Sequence, residues 1–330
     1  MSFLEQHQVE LPLALIAAIL AGNVLNLPLA DKFITIQGRI SHHSEEQYRN
    51  TLDDVYFVVF GLLLFTFIRA SIMKYLLSPL AEFCQVKEAG KKARFCEQLW
   101  LVIYYTVSWS VGMYLMHEMP HWMNTKAFWD GYPHISMTWR FKAYYLLSIS
   151  FWLQQFYVLQ IEERRKDYYQ MLLHHVVTCA LLLSSYCSHF TRIGNAILCT
   201  MDFADIFLSG AKVLRYIKMQ LLCDILFGVF VIVWIITRHI IYGIIVYSIY
   251  DESVVLLHAA PENPEEFYYS YPGRAYFLTL LISLQFIIIY WFVLIIRVIT
   301  RVISGREAID NRSSDDSDAG PTKNDQKKQN

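Results

Sequence analysis

Residues 221–248 read LLCDILFGVFVIVWIITRHIIYGIIVYS, and residues 275–300 read AYFLTLLISLQFIIIYWFVLIIRVIT. Each run exceeds the roughly 20 apolar residues that carry an α-helix across a hydrocarbon layer about 30 Å thick. Neither alternates polar and apolar residues, as a strand of a membrane β-barrel would. Within lipid every backbone N–H and C=O must be satisfied inside its own segment, so such runs form helices. These two stretches set the class of the chain: an all-α polytopic membrane protein.

Six further runs lie upstream, at about 11–30, 53–77, 98–117, 142–160, 168–187 and 194–214. The first is the weakest, because Asn23, Asn26 and Pro28 interrupt it, so the expected count is about eight (seven to eight) transmembrane helices. Across 330 residues, 55% are hydrophobic and the mean hydropathy is +0.32, an apolar balance that soluble domains of this size seldom reach. Charge is confined to loops and tail. Lys87, Lys91, Lys92 and Arg94 fall in 78–97, Arg164, Arg165 and Lys166 in 161–167, Arg215 and Lys218 in 215–220, and Arg301 and Arg306 after the last run. With eight spans these segments share one side. The opposite side holds Arg192 in 188–193 and a loop at 249–273 with no lysine or arginine before Arg274 but with Asp251, Glu252, Glu262, Glu265 and Glu266. Basic loops stay in the cytosol, so the C-terminus is expected there. The loop 31–52, with Lys32, Arg39 and Arg49, fits this pattern less well.

The chain divides into an N-terminal segment with the weak first span and its loop (1–52), a second span with a basic loop (53–90), a main helical domain (91–304) and a tail (305–330). The tail is polar, lacks aromatic residues and reads as disordered. Ser313, Ser314 and Ser317 stand among Asp315, Asp316 and Asp318, a setting that suits acidophilic kinases. The last residues, Lys327-Lys328-Gln329-Asn330, resemble a dilysine retrieval signal of endoplasmic reticulum membrane proteins. MSFLEQHQVE has no basic n-region, so no cleaved signal peptide is expected. Cys84, Cys96, Cys179, Cys187, Cys199 and Cys223 form no CxxC pair and read as small buried hydrophobes. A net charge of −1 gives no pull toward nucleic acid.

Ionisable side chains inside a span cost about 2.5–3.5 kcal/mol each for Asp or Arg on insertion scales, so they mark function. The fifth run carries His174 and His175, the sixth Asp202 and Asp205. A short connection at 188–192 makes the two helices antiparallel neighbours. Asp202 and Asp205 are three residues apart and are expected on one face. His174 and His175 diverge by about 100°, so only one is expected to face a reacting group. His175 stands about 12 Å beyond Asp167 and Asp205 about 15 Å before Arg215, which places them at similar depth. A histidine beside a carboxylate suits general base catalysis or nucleophilic catalysis; buried His–Asp bonds tying two helices would look the same. Arg238 and His239, deep in the seventh run, either line a substrate cavity or bond between helices.

The stretch Arg164-Arg165-Lys166-Asp167-Tyr168-Tyr169-Gln170-Met171-Leu172-Leu173-His174-His175 resembles the longevity-assurance motif of the ceramide synthases. The resemblance runs on through Thr178, Ser185-Tyr186, Thr191-Arg192-Ile193-Gly194-Asn195 and Met201-Asp202-Phe203-Ala204-Asp205-Ile206. It extends to Asp53-Asp54-Val55-Tyr56-Phe57, Arg94-Phe95-Cys96-Glu97-Gln98, Phe151-Trp152-Leu153-Gln154-Gln155 and, in fungal flavour, Thr237-Arg238-His239. It implies a TLC-domain helical bundle enclosing a lipid or acyl cavity in the endoplasmic reticulum membrane. It further implies acyl-CoA-dependent N-acylation of a sphingoid base, with His174, His175, Asp202 and Asp205 required for activity. Acyl-CoA is then a co-substrate, with no separate cofactor and no metal. The partners are acyl-CoA, the sphingoid base, the lipid bilayer and a second synthase subunit, of the same or another kind. Arg164, Arg165 and Lys166 lie where the phosphates of coenzyme A would approach, or simply anchor the cytosolic face.

His117-Glu118-Met119-Pro120-His121 matches HExxH, but Pro120 prevents the unbroken helix that a zinc site of this kind needs. Histidine-rich di-iron enzymes need several histidine boxes, which are absent from the sequence. Trp100, Trp109, Trp122, Trp129 and Trp139 read as an interfacial belt and are not assigned to substrate. A non-catalytic TLC-domain lipid-binding or translocation-associated protein is the main rival, a transporter the second, and a paralogue protecting against sphinganine-analogue toxins the third. The sequence leaves open which histidine does the chemistry, the acyl-chain length and the base preference.

Overall fold

Proline, glycine and asparagine cut the apolar runs into the elements of the computed structural model, which describes residues 7–40, 46–162, 167–257 and 267–303. Arg164, Arg165, Lys166, Ser313, Ser314, Ser317 and the KKQN end lie outside the described residues. The first run is not one span. Helix α1 (Glu10–Val24) stops before Asn26, which takes a positive φ of 56°, and α2 (Pro28–Ile34) starts afresh on its proline. With 15 residues, α1 is shorter than a bilayer requires.

Two-residue strands β1 (Arg39–Ile40) and β2 (Gln47–Tyr48) follow, and β2 pairs antiparallel with both β1 and β3 (Met137–Thr138). This small sheet departs from the all-α expectation, because strands so short leave no periodic trace in the sequence. Two of the three cations of the same loop are paired with carboxylates. Lys32 meets Asp53 at 2.8 Å and Arg39 meets Glu46 at 2.8 Å.

Helix α3 (Asp54–Ile72) continues through a π-turn at Met73–Leu77 into α4 (Ser78–Phe83). Then come α5 (Ala89–His117), α6 (Trp139–Ile161), α7 (Tyr168–Cys187) and α8 (Thr191–Tyr216). Helix α9 (Gln220–Ile235) passes through a π-turn, Ile236–Ile241, into α10 (Tyr242–Tyr250), with a short α11 (Val254–Leu257) beyond it and α12 (Tyr271–Ile303) last. Five helical stretches are long and apolar enough to cross a membrane: Asp54–Phe83, Ala89–His117, Tyr168–Cys187, Gln220–Leu257 and Tyr271–Arg301. Their outer faces stay apolar. Leu221, Ile225, Val229, Ile232, Ile236, Ile240 and Ile244 are all exposed and recur every three or four residues along one stripe. Such a continuous greasy face belongs against lipid, and the chain is a multi-pass membrane protein.

The predicted spans 142–160 and 194–214 are helical, as α6 and α8, but are less apolar than those five. The reason is burial. The apolar windows of the five helices are 22–33% buried, whereas about half the residues of α6 and α8 are, including Lys142, Ser148, Ser150, Gln154, Asn195 and Asp202. Neighbouring segments meet several of these groups: Lys142 reaches Asp54, Ser150 the Val58 carbonyl and Asp202 the Ser108 hydroxyl.

The helices form a ring. Helix α5 packs on α8, α8 on α9, α10 on α12, α12 on α7, α7 on α6 and α6 back on α5. Helix α3 lies outside against α6, with α1 on α3. One buried ion pair fixes that outer layer. Lys142 Nζ, fully buried, meets Asp54 Oδ1 at 2.7 Å and donates to the carbonyls of Gln37 (2.8 Å) and Arg49 (2.7 Å). Asp54 Oδ2 accepts from Tyr186 Oη and from Thr51 N, both at 2.7 Å.

Candidate active site

A cavity with an empty volume of about 860 Å³, counting its open part, lies inside the ring. Its walls follow helical periodicity. Helix α7 contributes His174, Thr178, Leu181 and Ser185, α8 contributes Gly194, Ile197, Leu198, Met201 and Asp205, and α12 contributes Arg274, Phe277, Leu281 and Leu284. Steps of three and four keep each set on one face. Trp152 of α6 and Arg238 and Ile249 of the α9–α10 stretch complete the wall, while Trp129, Phe190 and Tyr269 come from connections. From His174 to Ser185 is eleven residues, or about 17 Å along α7. The cavity thus runs from a polar group of His174, Asp205 and Arg238 to an aromatic end at Trp129, Phe190 and Tyr269.

The paired histidines separate as the 100° step requires. His174 lines the cavity, and its ring lies 5.5 Å from Trp152 and 5.1 Å from Trp291. His175 is buried off the cavity wall, its ring 5.7 Å from that of Trp152 and 5.5 Å from that of His174. Nδ1 of both rings has no hydrogen-bond partner among the described residues. The expected clamp of an aspartate on a ring is therefore not present at either Nδ1.

The aspartates also part company, against the expectation of one shared face. A three-residue step leaves them about 60° apart, enough to send them to different neighbours. Asp205 faces the cavity and pairs with Arg238 Nη2 at 2.7 Å. Asp202 turns toward α5, where Ser108 Oγ donates to its Oδ2 at 2.9 Å. Arg238 lines this pocket and also bonds between helices, donating to the Met201 carbonyl at 3.0 Å. His239 is elsewhere. It accepts from Gln285 Nε2 at 3.2 Å, in a separate groove lined by Gly243, Val246, Ile282, Phe286 and Ile289. The π-turn sets this division, and such turns recur at functional sites.

Several site residues were passed over in the sequence. Trp129 was read as interfacial, yet it is buried at the aromatic end of the cavity, its Nε1 donating to Ser248 Oγ at 2.8 Å. Trp100 is buried too, beneath α4, while Trp139 is exposed as a belt residue would be. Trp152, whose ring packs edge-on against both histidines, had no signal beyond its place in the FWLQQ stretch. Among the cysteines, Cys187 is exposed at the end of α7, contrary to the buried reading. Helix α5 ends at His117, before Pro120, so the two histidines of HEMPH share no helical turn. His121 is instead buried, donating from Nε2 to Asn195 Oδ1 at 3.2 Å, and burial pushes its pKa down to about 4. His134, in the same connection, donates to the Phe128 carbonyl at 3.2 Å and is likewise held at about 4 by burial.

The ring of helices thus carries histidine, carboxylate and guanidinium groups on the wall of a largely apolar pocket. Residues 94–297 match the TLC domain family. Over 318 residues the chain is 36% identical to "Sphingosine N-acyltransferase lag1" of Schizosaccharomyces pombe, spanning 95% of this chain and 80% of that protein. It is 34% identical to "Ceramide synthase LAG1" of Saccharomyces cerevisiae (92% of this chain, 74% of that one) and 33% identical to "Ceramide Synthase FUM18" of Gibberella moniliformis (95% and 82%). The chain belongs to the TLC-domain ceramide synthase family and is an N-acyltransferase.

Proposed function

We propose that the chain transfers a fatty acyl group from acyl-CoA to the amine of a sphingoid base. The observation that carries this reading is the placement of His174 at the polar end of a long apolar cavity. An acyl chain laid toward Trp129, Phe190 and Tyr269 leaves its thioester at His174. Burying the chain offers about 0.8 kcal/mol per methylene, which holds the reacting carbonyl in place. Arg164, Arg165 and Lys166 immediately precede α7, and His174 lies two turns into that helix; the coenzyme phosphates are assigned to these cations.

An imidazole there has two balanced routes. As a general base, His174 takes a proton from the neutral amine as its nitrogen adds to the thioester carbonyl; the C–S bond then breaks, and the proton passes to the departing thiolate. As a nucleophile, His174 forms an acyl-imidazole with release of the thiol, and the amine then displaces the imidazole. Acyl transfer to the protein in the absence of sphingoid base separates the two routes. His175 acts through Trp152, and the Asp205–Arg238 pair keeps the wall polar without net charge. In the membrane α6 and α8 also cross, enclosed by their neighbours, giving seven full spans with α1 as a partial eighth. Residence in the endoplasmic reticulum with a cytosolic tail follows from the loop charges and the KKQN end.

The test is N-acylation by purified protein across a panel of acyl-CoA lengths and sphingoid bases. Product is expected for a subset, lost in His174→Ala with the fold retained. No product from any combination favours a non-catalytic lipid-binding role, and retained turnover in His174→Ala removes the histidine from the chemistry.

A further inference from the structure

Two hydrogen-bond donors on the cavity wall stand uncommitted. Arg238 is 3% exposed. Its Nη2 is held by Asp205 Oδ1 and the Met201 carbonyl, and its guanidinium carbon lies 4.2 Å from the centre of the Trp234 ring. Nε, by contrast, has no partner among the described residues. Thr178, one turn beyond His174 on the same face of α7, is the second. Hydroxyls in these helices ordinarily donate to the carbonyl four residues back, as Ser184 does to Ala180 (2.6 Å) and Thr200 to Ala196 (2.7 Å). Thr178 Oγ1 is buried and does not. Buried donors without acceptors are few in folded proteins, and each calls for an explanation. Both of these belong to residues that line the cavity with His174.

We propose that Arg238 Nε–H and the Thr178 hydroxyl form an oxyanion pocket for the acyl carbonyl beside His174. The inference rests on the N-acyl transfer reading above. In either route, addition to the thioester carbon moves the C=O π pair onto oxygen. Collapse restores the double bond and expels the thiolate, which leaves with the proton given up by the amine in the general-base route and by the attacking imidazole in the nucleophilic route. A guanidinium and a hydroxyl, fixed before the reaction and shielded from water, stabilise that transient oxyanion more than the ground-state carbonyl. Asp205 and Trp234 hold the guanidinium in place so that Nε–H need not reorganise. Such donors lower the barrier and leave chain binding to the apolar wall.

The experiment compares wild type with Arg238→Gln, Arg238→Lys and Thr178→Val. Removing one oxyanion donor costs about 10²–10³ in kcat in other acyl-transfer enzymes. A fall of that order is expected for both Arg238 variants, and about tenfold or more for Thr178→Val, with KM for acyl-CoA little changed. Arg238→Lys keeps a cation for Asp205 but lacks Nε–H, so it decides the matter if Arg238→Gln does not fold. The second readout is binding of an S-alkyl-CoA thioether, which has the chain and the coenzyme but no carbonyl oxygen. Its affinity should be the same in wild type, Arg238→Lys and Thr178→Val. Unchanged kcat in the folded variants, or thioether affinity falling in step with kcat, overturns the oxyanion assignment. Absence of wild-type turnover on the whole panel would instead overturn the acyl-transfer reading beneath it.

Discussion

Replacing Lys142 by methionine should destabilise the protein more than almost any other single change, because it strands Asp54. The pair is 0% and 3% exposed, so water cannot replace what is lost. Removing Nζ leaves a buried carboxylate facing only Tyr186 Oη and Thr51 N, and it orphans the carbonyls of Gln37 and Arg49. Breaking a buried pair from one side costs roughly 3–5 kcal/mol. At roughly 1.5 °C per kcal/mol for a chain of 330 residues, a loss of about 4 kcal/mol lowers the melting midpoint by about 6 °C. The assay is the fraction of detergent-solubilised protein remaining monodisperse after heating, read beside N-acylation of the unheated sample. Adding Asp54→Asn to Lys142→Met should restore part of the loss, since the amide leaves no charge unpaired. A shift under about 3 °C, or a double variant no better than the single, would show that the site is wet and the reasoning wrong.

Acid should weaken the fold through the connection after α5. His121 and His134 sit at about 4 in the folded protein against about 6.5 when unfolded. The unfolded chain therefore binds protons first as pH falls from about 6.5 toward 4. Linkage puts the loss at about 2 kcal/mol per histidine by pH 5; a melting midpoint that is flat between pH 7 and 5 contradicts this, and His121→Gln should flatten the slope. Gly194→Ala would place a Cβ on the hydroxyl of fully buried Tyr145, which bonds Ser185, so a loss of about 1–3 kcal/mol is expected; unchanged heat stability would mean that the ring moves freely. Trp129→Ala removes the aromatic end of the cavity and should raise the product ratio of longer to shorter acyl chains by about tenfold or more. An unaltered chain-length profile would place the chain terminus elsewhere.

Much of the helical layout was legible because lipid imposes a length and an apolar surface on any helix that meets it. The runs at 221–248 and 275–300 needed nothing further. The site was legible by residue type but not by direction. His174 and His175 had to diverge, yet only the packing of α7 against α12 and α8 decides that His174 takes the cavity. The aspartates illustrate the limit of spacing arguments: a three-residue step counts as one face in a soluble helix, but between α5 and the cavity it selects different partners. Arg238 and His239 could not be resolved from a helical wheel, since the π-turn at Ile236–Ile241 changes the phase locally. Contacts between distant segments, such as Lys142 with Asp54 or Trp129 with the cavity end, carry no local signature at all.

The polarity of α8 has a consequence for how the molecule is made. If α8 crosses the membrane as proposed, it carries a penalty of about 2.5–3.5 kcal/mol for each of Asp202 and Asp205 on entering lipid alone. Its compensating groups lie on other helices: Ser108 on α5, already synthesised, and Arg238 in the π-turn, still to come. The partner of Asp202 is therefore synthesised before α8, and the cation that pairs with Asp205 after it. A chain cut before residue 238 would lack the guanidinium that pairs with Asp205, so the polarity of α8 is balanced only once the α9–α10 stretch has been made.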